Sequence, residues 1–179
     1  MILALDISTS ITGVSVVDKL GKIVYCSSID LRKENDFFSK ADLAERSLIK
    51  IKEKFSIEDI FIEQPFQFFN SGGSSAKTMS ALQRFNGTVS WICYKLFATT
   101  PQYLTAGEAR AAVGIKVPRG EKAKPAVLQF VLDNDPHFPV EYTSKGNPKP
   151  DSFDKADSWV IGKAGWIVCN RKSKSSKEH

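Results

Sequence analysis

Met1-Ile2-Leu3-Ala4-Leu5-Asp6 is an apolar run closed by an acid, and the two stretches after it reveal the kind of sheet it belongs to. Thr12 to Val17 and Ile23 to Ser28 are further strand candidates, and Asp18-Lys19-Leu20-Gly21 between them is short enough for a hairpin turn. Together these stretches predict a three-stranded antiparallel meander with Asp6 at the end of its first strand. Working outward, Ser39 is the expected N-cap of a helix over about 40–55, with Leu43, Ser47, Leu48, Ile51 and Phe55 on one stripe. Ile60-Phe61-Ile62 reads as a buried strand ending at Glu63 and stopped by Pro65.

Beyond a Gly/Ser-rich loop (70–75), Met79, Leu82, Phe85, Val89, Ile92 and Leu96 recur at helical steps and predict a helix over about 76–97. Gln102-Tyr103-Leu104 is a fifth strand. Short helices are expected over 107–113 and 122–132, the second tolerating Pro125 only in its first turn. Residues 133–150 hold four prolines and little periodicity, which predicts a loop, and a last helix covers about 152–168. This order of elements describes an α/β layer with a mixed five-stranded sheet flanked by helices. The 179 residues suit one domain, expected over 1–170 and continued by a basic tail over 171–179.

Composition excludes several classes. Apolar residues make up 42% and charged ones 25%, as in ordinary globular proteins, and no apolar run is long enough to span a bilayer. The start carries neither a basic leader nor a long apolar stretch, so a cytoplasmic protein is expected. Cys26, Cys93 and Cys169 stand singly, which fits a reducing compartment, buried packing and no zinc site. The net charge of +5 is unevenly spread. Arg110, Lys116, Arg119, Lys122 and Lys124 stand against Glu121 alone, and the tail adds Arg171, Lys172, Lys174 and Lys177. Two such stretches are the footprint expected of a nucleic-acid partner, although each alone also fits a solvated face.

Four acids occupy positions where solvated charge is unexpected. Asp6 and Glu63 each close an apolar strand, and Asp154 and Asp157 share one face of the last helix at i, i+3. Charges at the ends of core strands need a partner or a cation, because desolvating them alone is costly. Acids without histidine or cysteine make a hard oxygen site suited to Mg²⁺ or Mn²⁺. Two such ions about 3.5–4 Å apart activate water and stabilise the leaving oxygen in phosphodiester cleavage, with no side-chain nucleophile. Asp151 and Asp154 share the same spacing and compete for the assignment; Asp154 with Asp157 is the preferred pair, leaving Asp151 as the helix cap.

Leu3-Ala4-Leu5-Asp6 with Thr12-Gly13, Ile62-Glu63-Gln64, Asp154-Lys155-Ala156-Asp157, and the stretch from Ala111 to Gln129 resemble, in order and spacing, the RuvC family of Holliday-junction resolvases in the RNase H-like superfamily. The resemblance covers roughly residues 1–169 and implies an RNase H-like fold. It further implies a Mg²⁺-dependent nuclease (with Mn²⁺ able to substitute) that works as a homodimer on four-way DNA junctions and nicks two strands symmetrically. Asp6, Glu63, Asp154 and Asp157 match the family's metal-binding catalytic acids. Lys124 matches its catalytic lysine, with Lys122 as the alternative, and Phe66 matches an aromatic that stacks on bases near the branch point. The helix carrying Phe85 and Gly87 corresponds to the family's dimer helix, although Gly87 could also serve packing within one subunit. Lys116, Arg119, Lys122 and Lys124 are the expected phosphate contacts. Ile7-Ser8 after the first acid and the lengthened 117–120 and 133–150 segments depart from the family pattern. They resemble its divergent phage-type branch, which would place the protein in a bacterial host's cytoplasm and extend its substrates to other branched DNA.

Three rival readings differ in class. An actin-like phosphotransferase is suggested by Asp6-Ile7-Ser8-Thr9-Ser10, but it needs a second domain for which the chain has no room. A non-catalytic junction binder gains nothing from acids aimed at a polyanion. A nuclease for RNA–DNA hybrids on the same fold is the nearest rival, separable only by a substrate panel.

Overall fold

Strand β1 (Ile2–Asp6) is buried on both sides of a sheet, which is why it reads as an unbroken apolar run instead of an alternation. In the computed structural model, residues 1–65 and 76–175 are described. The remaining elements, in chain order, are β2 (Ile11–Val17), β3 (Ile23–Asp30), α1 (Phe37–Lys54), β4 (Asp59–Glu63), α2 (Ala76–Phe97), β5 (Gln102–Leu104), α3 (Ala106–Val113), α4 (Ala123–Asn134) and α5 (Pro150–Ser175). The sheet order is β3-β2-β1-β4-β5. The meander β1-β2-β3 is antiparallel, and β1, β4 and β5 are parallel neighbours.

Alternate residues of the central strands feed two cores. Leu3, Leu5, Ile60 and Ile62 face α1 and α2, meeting Leu48, Ile51, Phe85 and Val89. Ile2, Ala4 and Phe61 face the other helices, meeting Ala109, Val127, Val131, Trp159 and Ile161. The parallel pairing of β1 with β4, Leu5 opposite Ile62, brings the C-terminal ends of both strands, and hence Asp6 and Glu63, to one edge of the sheet.

Several boundaries differ from expectation for local reasons. The cap of α1 is Asp36, not Ser39: its carboxylate accepts from the backbone N–H groups of Phe38 and Ser39, and the Ser39 hydroxyl donates to it as well. Starting earlier lets Phe37 pack edge-on against Phe85. The buried side of α1 is Ala41, Ala44, Leu48 and Ile51, so the small alanines, and not Ser47, complete the stripe. Helix α5 starts at Pro150 and runs on to Ser175, so Asp151 sits in its first turn and is not its cap, and part of the expected tail is helix. Thr105 and Glu108 close α3 with a reciprocal capping box, and Gly114, at φ 85°, ends it in the left-handed conformation that glycine adopts without steric cost. Cys26, Cys93 and Cys169 are free, and burial pushes the Cys93 thiol up to about 12. Among the described residues no helix is long and apolar enough to cross a membrane.

Candidate metal centre

The acids at the end of the sheet meet those of α5 because that helix lies directly on the strands. Gly13, opposite Asp6 in β2, makes this possible: a Cβ there would lie 1.9 Å from the Asp154 carbonyl oxygen. The backbone of α5 therefore rests on the backbone of β2, and only glycine leaves the space. One turn further the Ser158 hydroxyl lies 2.8 Å from that of Ser15, and then Gly162 and Gly165 bring the helix down onto Val17 and Phe61. This contact sets the height of Asp154 and Asp157 above the sheet.

Carboxylate oxygens of Asp6, Asp154 and Asp157 all lie within 4.8 Å of one another. The competing pair is not assembled in this way. Asp151 turns aside, with its carboxylate 2.7 Å from the Lys155 ammonium and 3.4 Å from the Ser28 hydroxyl. Glu63 stands outside the tight trio, at the end of the neighbouring strand, but feels the charges of Asp157 and Asp154. Asn86, buried on α2, donates its side-chain amide to the Glu63 carbonyl at 3.2 Å and holds that strand end in place.

Electrostatics show what the cluster lacks. Burial, then the charges of Glu63, Asp157 and Asp154, hold the Asp6 carboxyl well above the usual carboxylate range. Burial, followed by Asp157, pushes Glu63 up to about 7, and burial first of all pushes Asp157 up to about 6. Asp154 is raised as well, again mainly by burial. The compensating cation in contact is Lys124, 2.9 Å from Asp154 and 3.8 Å from Asp157. Burial works against its ammonium, but the hydrogen bond to Asp154 and the surrounding acids outweigh that and raise its pKa. The acids thus exceed the positive charge that touches them. Gathered, partly desolvated carboxylate oxygens with no nitrogen or sulfur donor fit a hard divalent cation such as Mg²⁺ or Mn²⁺.

The remaining expected site residues fall in three places. Lys124 is in the first turn of α4, beside the acids. Lys116, Arg119 and Lys122 are exposed between α3 and α4, and none joins the acid cluster. Phe66 lies outside the described residues, as do Phe68, Phe69 and the Gly/Ser loop. The structure also brings in residues that the sequence pattern did not assign to the site. Arg110 on α3 lowers the pKa of both Glu63 and Asp157, and Arg32, beyond β3, does so for Asp154. Their signal was faint: Arg110 stands at the head of the basic stretch read as a phosphate footprint, and Arg32 beside Lys33 just after a strand. Lys155, between the two α5 acids, is 5% exposed, and nothing in its spacing announced this.

No protein-family model matches the chain, and no curated protein matches it in sequence. Solved structures do match its fold. RuvC of T. thermophilus in complex with a Holliday-junction substrate superposes with a TM-score of 0.65 at 12% identity, over 95% of this chain and 94% of that one. A second Thermus thermophilus RuvC structure gives 0.62 at 15% identity, covering 96% of each chain. The yeast mitochondrial Holliday-junction resolvase Ydc2 gives 0.61 at 15% identity, over 98% of this chain and 83% of that one. Sheet order, helix placement and nearly complete mutual coverage agree, so the chain has the RNase H-like fold found in the RuvC and Ydc2 junction resolvases.

Proposed function

We propose that this chain is a metal-dependent endonuclease that resolves four-way DNA junctions, and related branched DNA, by paired nicks. The observation that carries the reading is the trio Asp6, Asp154 and Asp157, within 4.8 Å at one end of an RNase H-like sheet, with Lys124 beside it. Divalent cations bound there would supply an activated water and stabilise the leaving oxygen of a phosphodiester.

Each residue has a separable part. Asp6, from the rigid centre of the sheet, and Asp154 and Asp157, from α5, hold the cations. Glu63, one strand away, completes the negative field with a carboxyl that burial keeps on the edge of ionisation. Lys124 holds Asp154 and Asp157 in the absence of substrate and has the reach and exposure to donate to a phosphate oxygen. Lys116, Arg119 and Lys122 take the flanking phosphates, and Phe66 stacks on a base near the branch.

The partner surface for a homodimer is the outer side of α2. Trp91 and Tyr94 are 58% and 53% exposed there, and among the described residues outside its own helix turn a Cβ added at exposed Gly87 would meet nothing within 4 Å. Of the two uses expected for Gly87, the open space beside it supports contact with a second subunit. Two-fold symmetry of the enzyme suits two nicks in a symmetric junction. Trp91→Glu should convert the dimer to a monomer in sedimentation; a wild type that is already monomeric at assay concentration removes the dimer.

The decisive experiment incubates the protein with labelled four-way junction, linear duplex and RNA–DNA hybrid, with Mg²⁺ and with chelator. Paired, metal-dependent nicks near the branch are expected. Preference for the hybrid would transfer the assignment to a hybrid nuclease, and equal cutting of linear duplex would make it a general one.

A further inference from the structure

The segment between α4 and α5 is a built hairpin and not a slack loop. Thr143 N–H donates to the Asn147 carbonyl at 2.8 Å, Gly146 N–H to Thr143 at 2.9 Å, and Lys149 N–H to Glu141 at 2.7 Å, with Tyr142 bridged to Pro148. Gly146, at φ 78°, makes the tight turn. Both ends are fastened to α5. The wholly buried Ser152 hydroxyl lies 3.4 Å from both the N–H and the carbonyl of Glu141.

The main fastener is Lys155. Its ammonium reaches the Asp151 carboxylate at 2.7 Å, the Pro139 carbonyl at 3.3 Å and the Glu141 carboxylate at 3.7 Å, and Glu141 in turn pairs with Lys149 at 2.7 Å. Burying an ammonium is costly unless such partners surround it, and here they come from the helix and from the base of the hairpin. Lys155 lies between Asp154 and Asp157 in sequence, so the hairpin is indexed to the same helix turn that presents the metal-binding acids.

All this scaffolding carries an exposed tip. Residues 141–147 are exposed, Tyr142 at 53%, and the hairpin's two lysines, Lys145 and Lys149, outnumber its single acid, Glu141. A hairpin with a net charge of +1 over 139–149 and a bare aromatic ring, fastened to the helix turn that carries Asp154, complements a polyanion with stacked bases.

We infer that the hairpin over 139–149, stapled to α5 by Lys155, is a second DNA-contacting element that grips a duplex arm of the substrate on the side of the acid cluster away from the Lys116–Lys124 segment. Tyr142 packs against a sugar or terminal base of that arm, Lys145 takes a phosphate, and Lys155 is a positioning residue. This inference rests on the nuclease reading above.

The test uses the full chain and a labelled four-way junction. Tyr142→Ala combined with Lys145→Ala changes only exposed side chains and should leave the thermal transition in place. It should weaken junction binding in chelator about tenfold and lower the salt slope of log K by about 0.9, while kcat at saturating junction changes less than twofold. Lys155→Met should reproduce the binding loss while Mn²⁺ affinity, measured by calorimetry on the protein alone, stays within about threefold. Unchanged binding and slope in the Tyr142/Lys145 variant overturn the inference while leaving the nuclease reading intact. A wild type that neither binds nor cuts junction, duplex or hybrid overturns both.

Discussion

The acid cluster and the Lys116–Lys122 segment would meet the same polyanion, yet the fold holds them in opposite ways. Asp6, Asp154 and Asp157 come from a central strand and a helix whose backbones touch at Gly13, and their oxygens are confined within 4.8 Å. Between α3 and α4, Ile115 is buried, but Lys116, Arg119 and Lys122 are exposed, and among the described residues none of the three forms an ion pair with another. Under the proposed function, holding a cation against a scissile phosphate would demand placement to a fraction of an ångström, which suits acids carried on a central strand and a helix. Neutralising phosphates along a duplex depends on charge and reach, so a loop serves. Lys124 belongs to the first group despite its place in the basic run, because Asp154 holds it.

If this contrast is right, changes on the rigid side are large and all-or-none. Asp6→Asn should lower metal-dependent junction cleavage by about 1000-fold, roughly 4 kcal/mol of transition-state stabilisation, while junction binding persists. Cleavage that survives within tenfold would remove Asp6 from the metal centre. Gly13→Ala is next in size, although it alters no charge. Its methyl group would run into the Asp154 carbonyl, a backbone obstacle that cannot rotate away. About 3 kcal/mol of stability, or roughly 6–12 °C in Tm, should be lost together with Mn²⁺ affinity. Retained affinity in a folded variant would break the link between helix height and site.

The third test reads the cluster without a substrate. Carboxyl groups raised by burial stabilise the fold while protonated and withdraw that contribution as pH rises through their folded pKa values. With Asp157 raised from 3.8 to about 6 and Glu63 from 4.5 to about 7, the metal-free protein should lose thermal stability as pH rises from about 4 to about 7 and level off above that. Mn²⁺ should restore it, and by more at the upper end of that range. A Tm that rises over this window without metal would contradict the desolvated cluster. On the loop side the effects should be small and additive. Lys116→Ala, Arg119→Ala and Lys122→Ala should each weaken junction binding a fewfold and lower the salt slope by about 0.9, with kcat unchanged. One of them acting alone on kcat would mean that the segment is part of the placed chemistry after all.

The chain's own pattern determined a good deal. Element types and order were legible because apolar periodicity is local, as in the span of α2, whereas the caps read from sequence, Ser39 and Asp151, gave way to Asp36 and to a helix starting at Pro150. The acids Asp6 and Glu63 were legible as candidates because each closes a buried strand, although Asp6 alone could be a strand-end turn residue and Glu63 a cap or an ion-pair partner. Spacing alone left Asp151 and Asp157 both open as the partner of Asp154; in the structure Asp157 joins Asp6 and Asp154, while Asp151 turns to Lys155. What no local pattern contained was distance. That Gly13 is the seat of α5, that Arg110 and Arg32 bear on the acids, and that Lys155 is buried under a hairpin all depend on residues far apart in the chain. Such contacts arise only when sheet and helix close on each other, because burial and Coulomb energy depend on separation in space and not on position in the sequence.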